Sequence, residues 1–116
     1  MQEYGIILTW EAIYDVIGFV DYIEASFGKQ QANRFQRTIK EQMETLGVMG
    51  KAFPETQLIY RGYVSHKKPF PPSIIFYVVM DDMREVHVLR GLREENNWER
   101  TLRQETEYTY SDRGDI

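Results

Sequence analysis

The chain predicts a two-layer α+β domain ordered β-α-α-β-β-β, an antiparallel twisted sheet packed on one face by a helical hairpin, with a short C-terminal helix. Three observations carry this. Apolar residues recur at helical spacing from Ile13 to Leu46, the period changes to two at Leu58, and the connections beyond Leu58 are short.

Each element has its own signal. Tyr4 to Leu8 is short and β-rich, and it leads into Thr9, a good helix N-cap, with Glu11 where the macrodipole favours an acid. Ile13, Val16, Ile17, Val20, Ile23 and Phe27 then form one apolar stripe, closed by Gly28. Tyr14, Phe19 and Tyr22 fall off that stripe, which suits either a partner or an unusually wide buried face. A second helix begins at once, with Ala32, Phe35, Ile39, Met43 and Leu46 on one side and Gly47 at its end, so the pair forms an antiparallel hairpin. Gly47 to Gln57 has no period and reads as a loop.

From Leu58 one strand runs toward Lys67, and the prolines of Lys67-Lys-Pro-Phe-Pro-Pro-Ser73 are expected to stop it, because proline removes ladder donors. Ile74 to Met80 is the most apolar strand and suits the centre of the sheet. Asp81 to Arg84 makes a turn into the last strand, Glu85 to Leu92. Residues 1–102 form the domain in this reading, and 103–116 form a polar tail, mobile or ordered only against another chain. With helices on one side only, the other sheet face is where a ligand or partner is expected.

Composition bounds the function. At 116 residues and 42% hydrophobic, the chain holds one core. It has no cysteine, no basic and apolar leader, and no run of about 18 apolar residues, which points to an untargeted cytoplasmic protein and away from a membrane. The net charge of -4 argues against a generic nucleic-acid binder. The charge is uneven, however: Thr9 to Leu46 carries six acids against four bases, while Leu58 to Arg93 carries six bases against three acids, so a local positive surface is available. The two histidines lie far apart and the acids are scattered, so no metal site is expected, nor any cofactor.

The stretch from Arg84 to Leu102 organises the functional reading. It begins as an alternating strand, breaks at a polar run, and restarts at Trp98. Arg90 and Arg93 are three apart, so on a regular strand they point to opposite faces, and only one can enter a given groove. Arg90 shares the parity of Val86 and Val88 and reads as a salt-bridged framework residue; Arg93 reads as the exposed one. Trp98, with Leu102 at helical spacing, reads as a core anchor. His87 reads as a partly covered residue of the sheet surface. Further cations and a base are at hand in Arg61, His66, Lys67 and Lys68, although a lysine pair at a strand end also serves as a solvated edge guard.

The run Ile6-Ile-Leu-Thr9 into a helix, Phe27-Gly28 followed by Ala32 and Phe35, Ile75-Phe-Tyr-Val-Val79, and Val86-His-Val-Leu-Arg90-Gly-Leu-Arg93 with Trp98 five residues later resemble the RelE/ParE superfamily of bacterial toxins over residues 4–102. The resemblance implies the toxin of a type II toxin–antitoxin pair, neutralised by a cognate antitoxin protein and able to form a homodimer in its absence. Two activities occur on this fold. One poisons DNA gyrase through protein binding; the other is a ribosome-dependent mRNA interferase, which cleaves mRNA without a metal and would use Arg93, Arg61, Lys67, Lys68 and His66 here. A non-toxic binding module on the same fold is a third reading. The pattern Pro72-Ser-Ile-Ile-Phe departs from the basic third-strand start of many nuclease members, so the gyrase-directed reading is preferred. Candidate antitoxin contacts are Tyr14, Phe19 and Tyr22 on the first helix, and Tyr60, Tyr63 and Phe70 near the second strand.

Overall fold

A computed structural model describes residues 3–94, 97–105 and 107–110. Its elements are β1 (Gly5–Leu8), α1 (Trp10–Phe27), α2 (Lys29–Glu44), the single turn α3 (Leu46–Met49), a 3-10 turn (Gly50–Ala52), β2 (Glu55–Tyr60), β3 (Tyr63–Phe70), β4 (Ser73–Met80), β5 (Glu85–Arg93) and α4 (Trp98–Gln104). The five strands form one sheet in the order β1-β5-β4-β3-β2. The α+β class and the helical hairpin are as expected, but the sheet has one strand more. Its first strand also pairs parallel to β5, whereas the other neighbours are antiparallel.

The extra strand comes from a hairpin inside what reads as one strand from Leu58 to Lys67. Arg61 and Gly62 both adopt positive φ (52° and 85°), the conformation of a two-residue turn whose twist matches that of antiparallel strands. Only Gly62 has the residue type that advertises such a turn. The proline run also fails to stop β3: Lys67, Lys68 and Pro69 stay in register with Phe76, Ile75 and Ile74, and the reversal falls at Pro71-Pro72. Because β2 begins at Glu55, opposite His66, Pro69 lies beyond it on the unpaired side of β3, where a missing N–H is tolerated.

Thr9 explains how β1 becomes α1. Its Oγ1 accepts the N–H of Ala12 at 3.0 Å as a helix cap and donates to the Leu89 carbonyl at 2.8 Å, while its own N–H donates to the Val88 carbonyl. The residue is fully buried. α1 buries Ala12, Ile13, Val16 and Phe19, and leaves Ile17 and Phe27 exposed, so its inner face is rotated from the expected stripe. α2 buries Ala32, Ile39 and Met43, as its spacing indicates. Ala12, Ile13, Val16, Ile39 and Met43, together with Leu8, Leu46, Ile75, Tyr77, Val86 and Val88, make the main core. Gly47 lets α3 approach β1, since a Cβ there would lie 2.6 Å from the Tyr4 carbonyl oxygen.

The opposite sheet face is covered too, contrary to expectation. α4 lays Leu102 and Trp98 over Ile74, Phe76 and Leu92, with the Trp98 ring 4.9 Å from that of Phe76. Residues 107–110, within the stretch read as a tail, add Tyr108 and Tyr110 to a third cluster with Tyr60, Val78, Met80 and Leu89. Backbone and side-chain bonds tie that segment to the start of α1: Trp10 N–H to the Thr109 carbonyl, and the Thr109 N–H and hydroxyl to the Glu11 carboxylate. Residues 111–116 of the same stretch lie outside the described residues.

Thr9→Val keeps the volume but removes the cap and strands a buried carbonyl. Urea denaturation is expected to show a loss of about 2 kcal/mol, the scale of a lost N-cap with an unpaired acceptor.

Candidate functional site

A hollow of about 280 Å³ opens between α1 and the end of β5, bordered by Tyr14, Gly18, Phe19, Gly91 and the two arginines. β1 pairs with β5 only as far as Val88, so beyond it the edge of β5 faces α1 rather than another strand. Asp15 takes the place of that strand: its Oδ2 accepts the Gly91 N–H at 3.0 Å.

The same carboxylate holds Arg90, accepting from Nε at 2.6 Å and from the second terminal nitrogen at 2.9 Å, while the other terminal nitrogen donates to Glu105 just past α4. The side chains of Arg90 and Asp15 are 18% and 15% exposed, so the pair is well shielded. Hydrogen bonding to Asp15 holds the Arg90 pKa above its already high ordinary value. Arg90 is thus a framework residue, joining α1, β5 and the chain after α4.

The parity argument needs correction. Val88 pairs with Tyr77 and Arg90 with Phe76, leaving Leu89 as the extra residue of a β-bulge. Arg90 is therefore out of step with Val86 and Val88. Both arginines border the same hollow, because it lies at the strand's open edge, which side chains from either face reach. Arg93 places its guanidinium 4.5 Å from the Tyr22 ring centroid and 5.5 Å from that of Phe19, within cation–π range. Glu95, the acid two residues on, lies outside the described residues.

The other candidate nuclease residues are dispersed. Arg61 occupies the β2–β3 turn, beside Tyr60 and Tyr110. β3 runs from that turn to Phe70, which pairs with Ser73, the partner of Arg93, so Arg61 and Arg93 are at opposite ends of the sheet, roughly 25 Å apart. Lys67 reaches over the Trp98 ring on the α4 face. Lys68 points the other way, beneath the helices, with Nζ 4.4 Å from the Phe53 ring and 3.5 Å from Thr45 Oγ1. It is only 8% exposed, so the two lysines are not a solvated pair. His66 is no surface base either: it is buried against the Tyr77 ring, with Nδ1 2.8 Å from the Phe53 carbonyl oxygen. His87 is buried between Glu85 and Tyr110.

The candidate contact residues divide by burial. Phe19 and Tyr60, each 6% exposed, belong to the core. Phe70 packs on Phe35, and the Tyr63 hydroxyl donates to Asp82. Tyr14 and Tyr22 are free to meet a partner, at 63% and 46% exposed, and Trp10 stacks on Tyr14 at 5.8 Å. Sequence reasoning missed Asp15, Glu105 and Gly18. An isolated glycine inside a helix was the available signal for Gly18, because it weakens the helix by about 1 kcal/mol relative to alanine. Nothing local distinguishes Asp15 from a solvated acid.

Two stability tests follow from these contacts. Arg90→Met leaves two shielded carboxylates without their cation and is expected to lose about 2 to 3 kcal/mol in urea denaturation, somewhat below the range for a fully buried pair. Lys68 behaves oppositely. Desolvation lowers its pKa from the ordinary 10.5, so in the folded state the charged form is disfavoured, and its burden is present at neutral pH and relieved as pH rises toward 10.5. Lys68→Met is expected to raise the melting temperature at pH 7, with a smaller gain at pH 10.

Residues 6–98 match the family described as the ParE toxin of the type II toxin–antitoxin system parDE. No curated protein sequence matches the chain. Among solved structures, a chain described as the chromosomal ParDE TA system from P. aeruginosa shares the fold, with a TM-score of 0.64 and 19% identity over 80% of this chain and 98% of that one. With the match spanning β1 to the start of α4, the chain belongs to the ParE toxin family of type II toxin–antitoxin systems.

Proposed function

We propose that this toxin arrests growth by binding DNA gyrase in the cytoplasm, and that its antitoxin docks on the outer face of α1. The observation that carries the choice of target is the dispersal of the nuclease candidates. Metal-free RNA cleavage needs a base, a cation and an acid within reach of one phosphate. Here Arg61 and Arg93 are at opposite ends of the sheet, Lys67 and Lys68 are on opposite faces, and the His66 ring is buried under the helical layer. That arrangement favours action through a protein surface over cleavage of mRNA on the ribosome.

Antitoxin docking on α1 is supported by its exposed apolar side chains, Trp10, Tyr14, Ile17, Tyr22 and Phe27. Large aromatic side chains at half exposure are the usual anchors of a protein interface. Among the described residues no helix is long and apolar enough to cross a membrane.

Induced expression without antitoxin tests the target. Growth arrest with filamentation, and inhibition of gyrase supercoiling by the purified protein, are expected. Translation arrest with mRNA cut at the ribosomal A site would replace this reading with the interferase, and unimpaired growth would replace both with a non-toxic module. For docking, Tyr22→Glu is expected to weaken antitoxin binding without lowering the melting temperature.

A further inference from the structure

The bases of α2 lie together and unengaged. Lys29, Arg34, Arg37 and Lys40 are all exposed, and no acid stands between the first and the last of them. Among the described residues none of the four takes part in an ion pair or a ring contact, unlike Arg61, Lys67, Lys68, Arg90 and Arg93. Their placement works against the helix. The first turn, where the macrodipole favours an acid, holds Lys29 and no acid. Arg34, Arg37 and Lys40 follow at intervals of three, so like charges are neighbours on the helix surface, and Glu41 and Glu44 come only after the row. An anion arriving from outside offsets that repulsion.

The rest of the face says which polyanion fits. Gln30, Asn33 and Gln36 stand exposed among the bases and offer amide donors to phosphate oxygens. No aromatic side chain is there for an unstacked base to lie on: Phe35, the one aromatic of α2, packs inward between Phe19 and Phe70. Nor does α2 expose a large apolar side chain to anchor a protein partner, in contrast to α1. From Lys29 to Lys40 the helix spans about 16 Å, roughly five base-pair steps of a duplex.

We propose that the exposed face of α2 binds the phosphate backbone of duplex DNA, with Arg34 and Arg37 as the central contacts. The chain as a whole carries a charge of -4, so the contact is confined to this face and its affinity is that of sequence-independent docking. A duplex-binding face suits a toxin whose proposed target holds duplex DNA, yet it stands apart from that reading, because its test contains no gyrase.

The test uses the full-length chain and a fluorescently labelled duplex of mixed sequence. Binding with a Kd on the order of 10–100 μM at 50 mM salt is expected, weakening as salt rises with a log–log slope of about 3 to 4, the scale of four neutralised phosphates. The double variant Arg34→Gln, Arg37→Gln is expected to bind about tenfold more weakly and to lose about two from that slope, with an unchanged melting temperature. The double variant Arg34→Lys, Arg37→Lys is expected to keep the slope. No binding at 50 mM salt, or binding that the glutamine variant leaves unchanged, would overturn the proposal. Tighter binding to a single strand of the same length would overturn the assignment to a duplex. Absence of DNA binding, together with antitoxin affinity lost in the glutamine variant, would reassign the face to an acidic segment of the antitoxin.

Discussion

α1 completes the edge of β5 with side chains where β1 has run out. β1 supplies four residues of parallel pairing, and the chain then leaves the sheet as a helix. Thr9 answers the Val88 and Leu89 carbonyls, and Asp15, nearly two turns into the helix, answers the Gly91 N–H. A buried edge group without a partner would destabilise the fold by about 1–3 kcal/mol. The helix is therefore held to the sheet by polar groups as well as by Ala12, Ile13 and Val16, and its angle decides where Tyr14, Gly18 and Tyr22 stand relative to Arg93.

The bulge at Leu89 is part of the same arrangement. By inserting one residue into β5, it puts Arg90 out of step with Val86 and Val88, and the side chain reaches Asp15 round the open edge. The guanidinium then joins three parts of the chain that are distant in sequence, and Glu105 brings the end of α4 to the same point. From there residues 107–110 return along the start of α1, so both ends of the fold converge on Thr9. This convergence explains why a polar C-terminal stretch contributes two tyrosines to a buried cluster.

Ion pairs, burial and ring stacking distribute the cations among separate environments. Arg90 is neutralised by two acids and shielded; Lys68 is buried against an aromatic ring near the C-terminal end of α2, where the helix dipole favours positive charge. Arg61, Lys67 and Arg93 each lie over aromatic rings at separate places. Six bases between Leu58 and Arg93 therefore do not add up to one positive surface, despite their proximity in the chain. That dispersal suits recognition of proteins through apolar side chains better than chemistry on a phosphate.

By itself the sequence determined what depends on neighbours a few residues away. Thr9 as a cap, Gly28 as a helix end, the inner face of α2 and the apolar strand β4 were all legible, because capping, helical spacing and strand composition are local. The ordered motifs from Ile6 to Trp98 were enough for the family. Only the tertiary structure decided the turn at Arg61-Gly62, the bulge at Leu89, the burial of His66 and Lys68, and the packing of Tyr108 and Tyr110. Each depends on a partner strand or layer distant in sequence, and side-chain direction reverses with a single inserted residue. The rotated face of α1 has the same origin: docking to β5 through Thr9 and Asp15 turned Phe19 inward and left Ile17, and the gap at Gly18, facing out.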